Sequence, residues 1–398
     1  MNRPTLWTKD FVIITLTNFF VVLNFYMLLV IISVFAMDSF HSSPSEAGLA
    51  TGIFVIGALV ARLFSGKWIE RIGRKRMLYA GLISGLAMTL LYFWINGVLF
   101  LFIVRFFHGA TFGIMSTAAA TIVSHTVPRE RCGEGLGYYA LSVTLATAVG
   151  PFLAIFFSRH GGYNVIFVVC TISAVLSLAI GLFSTVSEIE LTNEQSEEMK
   201  GFRFNSFFEP KAIPISIVCG AMYFCYSSVV SFLAAYTREI HLEDAVGFFF
   251  VVYAVAIFFS RPYTGRLFDT KGENFAMYPA ILIFGLGMLV LSHAGYGYSL
   301  LSAGGLIGLG VGVIQFSGQA ISVKAALPHR LGLANSTFFM FVDVSVGIGP
   351  FILGLFVPYT GYRMLYRGVA IAASACVILY YILHGKKAVL RKVETIRS

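Results

Sequence analysis

Residues 331–356 contain a single ionisable side chain, Asp343, in the middle of an otherwise uncharged run. Apolar surroundings disfavour the charged form of a carboxylate, and a nearby cation favours it. A carboxylate that moves between two such settings takes up a proton in one and releases it in the other. Asp343 therefore has the chemistry of a proton carrier; a static residue hydrogen-bonded to its own helix is the competing reading. Arg105 and His108 stand three apart in a second apolar run, 98–121, and share one helix face. A guanidinium stays charged wherever it is placed, so Arg105 requires a carboxylate, a carbonyl or an anionic substrate beside it. His108 is of the type whose charge ordinarily changes near neutral pH, and suits either proton relay or hydrogen-bonded packing. Asp10, Thr17 and Asn24 recur every seventh residue as one polar stripe, with Asp10 at its wet end either a proton group or simply solvated.

The elements that must position these groups are long and apolar. The 398-residue chain is 58% hydrophobic and only 12% charged, about half the charged share of an ordinary soluble domain. No charged side chain occurs in 11–37 or in 161–187. A helix needs about 20 apolar residues to cross a bilayer. Spans are expected at 11–36, 45–66, 77–95, 98–121, 133–157, 162–185, 212–236, 245–267, 275–293, 297–322, 331–356 and 361–384. The first is too long for a cleaved signal peptide and is expected to remain as a helix. Outer loops and span ends hold only Arg159, Arg238, Arg363 and Arg367 of the 28 Lys and Arg, which puts both termini on the cytoplasmic side. The net charge of +9 is thus a topology signal, and a nucleic-acid partner is not expected. The five cysteines lie scattered in or beside spans with no C-x-x-C pair, so neither a disulfide framework nor a metal site is expected.

The chain repeats itself. At an offset of 199 residues, Ala61-Arg62-Leu63-Phe64-Ser65-Gly66-Lys67 lies over Ser260-Arg261-Pro262-Tyr263-Thr264-Gly265-Arg266, and Glu70 over Asp269. The same register places Gly109 on Gly308, Gly133 on Gly332, and Gly150-Pro151 on Gly349-Pro350. The expected fold is an all-α membrane protein of twelve transmembrane helices in two six-helix bundles, related by a pseudo-two-fold along the membrane normal. The domains would be 1–186, a cytoplasmic linker 187–211 rich in Glu, and 212–398. Parallel repeats of this kind rock about a site near the membrane midplane. Proline removes a backbone hydrogen bond, so Gly150-Pro151 and Gly349-Pro350 are candidate hinges or static kinks.

Gly66-Lys67-Trp68-Ile69-Glu70-Arg71-Ile72-Gly73-Arg74-Lys75-Arg76 resembles the helix 2–3 loop signature of the major facilitator superfamily, with Glu70 where Asp is usual and Asp269 in the second copy. Arg105-Phe106-Phe107-His108-Gly109 resembles the family's helix-4 motif, with His108 where Gln is common. Residues 146–154 are similar to the helix-5 motif of its drug/proton antiporter branch, without the earlier glycine or the Gly-Gly pair after the proline. The resemblance implies that Glu70 engages the start of helix 11 and closes the inner gate, a contact that a helix N-terminus favours. Gly66, Arg71, Gly73 and Arg74 would shape that gate, and Gly265, Asp269 and Gly272 its second copy. It also implies a cavity lined by helices 1, 4, 7 and 10, offering Asn24 and Tyr26, Tyr223 and Tyr226, and Gln315 and Gln319.

No strand precedes the clustered glycines and no Walker lysine follows them, which excludes an ATP-driven pump. The chain has neither H-E-x-x-H nor G-x-S-x-G, and no enzyme activity or cofactor is expected. The expected function is a monomeric, proton-coupled efflux antiporter in the plasma membrane, moving drugs or other amphipathic small molecules by alternating access. An exporter of one metabolite (a metallophore, siderophore or sugar) and a proton symporter for uptake are the alternatives.

Overall fold

A computed structural model describes residues 4–186, 188, 192, 195, 201, 203–386 and 388; 12 of the 25 residues of the expected linker, 187–211, lie outside these. The described residues form helices and connecting turns, with no strand among them. The helices are α1 (Lys9–Phe40), α2 (Pro44–Ile72), α3 (Arg74–Leu91) and α4 (Val98–Thr126). A continuous run Cys132–Leu182 is broken at Gly162 into α5 and α6. Then come α7 (Ile213–Glu239), α8 (Val246–Lys271), α9 (Glu273–Ser292), α10 (Gly297–Ala325), α11 (Leu331–Gly354) and α12 (Val357–Tyr380). Among the described residues, twelve helices are long and apolar enough to cross a membrane.

Local signals set several helix ends. Ser43 and Glu46 cap α2 reciprocally, each side chain taking the other's backbone N–H, with Pro44 in the first turn. At the α2–α3 turn Gly73 has φ 114°, and at the repeat-related α8–α9 turn Gly272 has φ 97°, a region that excludes most side chains. The α5–α6 break at Gly162 (φ 71°) and the break inside α12 at Gly361 (φ 67°) are also 199 residues apart. The repeat read in the sequence is thus written into backbone conformation.

One expectation about an element changes. The charged motif 66–72 is not loop but the last two turns of α2; only Gly73 leaves the helix. Charged residues at a helix end cost little where their heads find water or partners, so the apolar run ends before the helix does. The Gly-Pro pairs lie inside α5 and α11, and the only non-helical residue of the Cys132–Leu182 run is Gly162. Gly150 and Gly349 also make room for neighbouring helices: a Cβ at 150 would meet Tyr26 Cβ at 2.7 Å, and one at 349 would collide with Ser227.

By contacts the chain divides into two units, and the division does not follow the sequence halves. The first comprises residues 1–128, 142–209 and 326–340; the second comprises 129–141, 210–325 and 341–398. The first turns of α11 thus pack within the first unit, and those of α5 within the second. In the first unit, α4 crosses α2 closely at Gly109 and Gly113, where a Cβ would strike the carbonyls of Phe54 and Ala58. In the second, a Cβ at Gly308 would reach Tyr253 O at 2.6 Å, and one at Gly312 would lie 3.0 Å from Ile257. Small residues let membrane helices approach this way, gaining dispersion where lipid supplies no hydrophobic drive.

Candidate functional site

The first four N–H groups of a helix have no partner within it. In the first unit, α2 supplies one for α11. Glu70 Oε1 accepts from Gly332 N at 2.5 Å, and Arg74 Nη2 donates to Glu70 Oε2 at 3.1 Å and to Pro328 O at 2.6 Å. Both side chains are almost wholly buried. Gly66 and Gly332 allow the approach, since a Cβ on either would lie 2.9 Å from the other's carbonyl oxygen. Ser336 Oγ, one turn along α11, donates to Arg62 O, and Arg62 Nη1 donates to Thr117 Oγ1 at 3.2 Å.

The second unit repeats this arrangement between α8 and α5. Asp269 accepts from Gly133 N at 2.9 Å and Glu134 N at 2.8 Å. Gly265 and Gly133 make the close approach, with 3.0 Å from a Cβ on either to the other's carbonyl oxygen. Arg261, the repeat mate of Arg62, donates from Nη1 to Gly137 O at 3.1 Å, and Gly137 is the mate of Ser336. The copies differ in their counter-charges. Position 273 is Glu where the first copy has Arg74, and Lys324 from α10 pairs with Asp269 at 3.3 Å instead. Glu134 adds ion pairs to Arg131 and Arg266, the latter well exposed.

Of the residues singled out in the sequence, Gly66, Glu70 and Arg74 meet at the first junction and Gly265 and Asp269 at the second, while Gly73 and Gly272 end the helices that carry them. Arg71 is exposed and stands apart. Several participants carried no sequence signal. Glu188 accepts from the N–H groups of Arg74 and Lys75 at 2.7 and 3.0 Å, capping α3 from far along the chain. Arg330 holds Glu209 and donates to Asn205 O at 2.8 Å.

A second polar cluster lies inside the first unit. Arg105 is 0% exposed; its Nε donates to Ala50 O at 3.0 Å, and its guanidinium sits 4.4 Å from the Phe54 ring centre. Its Nη1 donates to the Tyr92 hydroxyl at 3.3 Å, and that hydroxyl lies 3.2 Å from His108 Nδ1. Among the three partners left open for Arg105, the structure supplies a carbonyl, together with a tyrosine. Asn24, expected to line a substrate cavity, turns instead into the unit's interior, where Nδ2 donates to Cys170 O at 3.0 Å and approaches Thr89 Oγ1 at 3.4 Å. A seven-residue stripe fixes a helix face but not the neighbour it meets. Asp10 is bound too, accepting from Thr185 N at 2.6 Å and from its hydroxyl at 2.9 Å.

In the second unit, Asp343 is half-buried on α11. There Gly220 of α7 leaves space for Ser345 and Phe341, whose atoms lie 3.0 and 3.4 Å from a Cβ at that glycine. Gln315 Oε1 accepts from Arg261 Nη2 at 3.1 Å. Tyr223 and Tyr226 meet edge-on at 5.9 Å, and Tyr226 stacks on Tyr253. Gln319 is buried, and Tyr26 is partly buried beside Gly150.

Twelve long apolar helices among the described residues, with repeat-related junctions, define the scaffold of a membrane transporter. The chain belongs to the Major Facilitator Superfamily, whose family model matches residues 14–305, and is accordingly a multi-pass membrane transporter. Over 387 residues it is 23% identical to an uncharacterised MFS-type transporter of Methanocaldococcus jannaschii, covering 94% of this chain and 98% of that one. It is 24% identical to the staphylopine export protein of Staphylococcus aureus, covering 78% and 75% of the two chains. Identity to multidrug resistance protein 2 of Bacillus subtilis is 22%, over 67% and 68%. The crystal structure of the human organic anion transporter TETRAN has the same fold, with a TM-score of 0.76 at 13% identity, covering 95% of this chain and 100% of that one.

Proposed function

We propose that this transporter is a proton-coupled efflux antiporter for amphipathic small molecules, working by alternating access. The observation that carries the reading is the duplicated junction in which Glu70 caps α11 and Asp269 caps α5. A cap made by a side chain of another helix holds only while the two helices stay together, so each junction is a latch that must open and re-form in every cycle. With the termini cytoplasmic, both latches close the inner face of a plasma-membrane protein that acts as a monomer. Asp343 carries the proton, while Arg105 with its neighbours supplies a fixed charge. Tyr26, Tyr223, Tyr226, Gln315 and Gln319 contact substrate.

Export is supported by the relatives whose names describe export or multidrug resistance. A second reading, export of one metallophore-like compound, is favoured by the likeness to the staphylopine exporter. Uptake by proton symport is the remaining direction the fold allows. The test is purified protein in vesicles under an imposed pH gradient, with an internal pH dye, challenged with organic cations, quinolones and metal chelates. Proton release driven by many compounds at low affinity supports multidrug antiport, and one tight responder supports the metabolite reading. Proton movement in the same direction as substrate overturns antiport.

A further inference from the structure

Hydrogen-bond accounting around Tyr92 fixes the state of His108. Arginine offers donors only, so at 3.3 Å the Tyr92 oxygen accepts from Arg105 Nη1. The hydroxyl's single proton must then point elsewhere, and the polar atom facing it is His108 Nδ1 at 3.2 Å. That proton forms a hydrogen bond only if Nδ1 carries a lone pair. Were Nδ1 protonated, Tyr92 would face donors on both sides and its own proton would be stranded. Tyr92 is 2% exposed and His108 3%, so water cannot repair the loss. An imidazolium would have the same defect and would add a second buried cation beside Arg105.

The other groups around the ring do not alter this balance. Phe54 of α2 meets it edge-on, α6 presents Cys170 near the cluster, and α1 presents the neutral Asn24. We propose that Tyr92 is the positioning residue of this cluster and that, held by Arg105, it fixes His108 as the neutral tautomer with its proton on Nε2. His108 is then a fixed hydrogen-bond donor and not a carrier of protons.

The donor has a place to act. His108 lines a small pocket with Asn24, Thr89 and Ser177. Asn24 Oδ1 is a buried acceptor with no partner. The inference rests on the cluster's geometry and stands apart from the antiport reading.

Nitrogen NMR of histidine-labelled protein in lipid bilayers tests it. The signal belonging to His108, among 8 histidines, is the one lost in H108Q. The expected result is a neutral ring protonated on Nε2 throughout the range from about pH 5.5 to 8, where histidine ordinarily titrates. A proton on Nδ1, or an imidazolium within that range, overturns the proposal. In Y92F the second tautomer should appear, and an unchanged His108 signal overturns the role given to Tyr92. A through-space contact between the Tyr92 hydroxyl proton and His108 Nδ1 in the unsubstituted protein is the second measurement. Its presence supports the proposal and its absence contradicts it, whether or not Y92F folds.

Discussion

Replacing Glu70 with Gln removes the charge from the first latch while keeping its shape. The amide oxygen can still accept from Gly332 N, but a charge-assisted bond becomes a neutral one. Arg74, 1% exposed at its side chain, loses its carboxylate and keeps Pro328 O. Hydrogen bonds to charged groups contribute about 1.5–3 kcal/mol and neutral ones about 1 kcal/mol. Downgrading one contact and deleting another therefore costs the closed latch about 2–5 kcal/mol. At 1.4 kcal/mol per tenfold, that raises the open population roughly 30- to 4000-fold. The assay introduces Ser336→Cys into a chain whose five native cysteines are replaced, and measures its rate of labelling by a membrane-permeant maleimide. Ser336 is fully buried against Arg62, so labelling reports opening. Glu70→Gln should accelerate it at least tenfold; an unchanged rate in a folded protein would refute the latch.

Asp269→Asn should open the second latch as well, because both carboxylate oxygens accept a backbone N–H and an amide leaves one of these facing a donor. Its cation Lys324 is about one-third exposed, and such pairs contribute no more than about 1 kcal/mol. Because salt screens exposed pairs, the difference between Asp269→Asn and the parent should shrink at high ionic strength, whereas that for Glu70→Gln should persist; maleimide labelling on the α5 side reads both. Gly109→Val drives a side chain into the Phe54 carbonyl, and overpacking of this kind costs about 1–3 kcal/mol or more. It should lower the thermal midpoint in detergent by several degrees, while Gly52→Ala, inside α2 with nothing within 4 Å, should not lower it.

The repeat was legible in the sequence because glycines and prolines recur in one register, and each marks a place where backbone must turn or approach. Gly73 and Gly272 turn, while Gly66, Gly109, Gly133 and Gly308 approach. The latch acids were legible only through the resemblance; nothing in the spacing says that Glu70 meets Gly332. Tyr92 was invisible because tyrosine is common in this chain and its partners come from the next helix. Glu188 was read as part of a solvated linker, since a carboxylate reaching back to cap α3 leaves no local pattern. The exchange of the first turns of α5 and α11 between units was hidden as well, because a helix continuous in sequence gives no sign of packing with two different neighbours.

The central claim, that this transporter couples efflux to protons through Asp343, is tested most directly by Asp343→Asn in reconstituted vesicles. A compound that drives proton release in the parent protein is followed as flux driven by a pH gradient, and as exchange with no gradient. The account predicts that the variant loses gradient-driven flux and keeps exchange. Gradient-driven flux equal to that of the parent would contradict it.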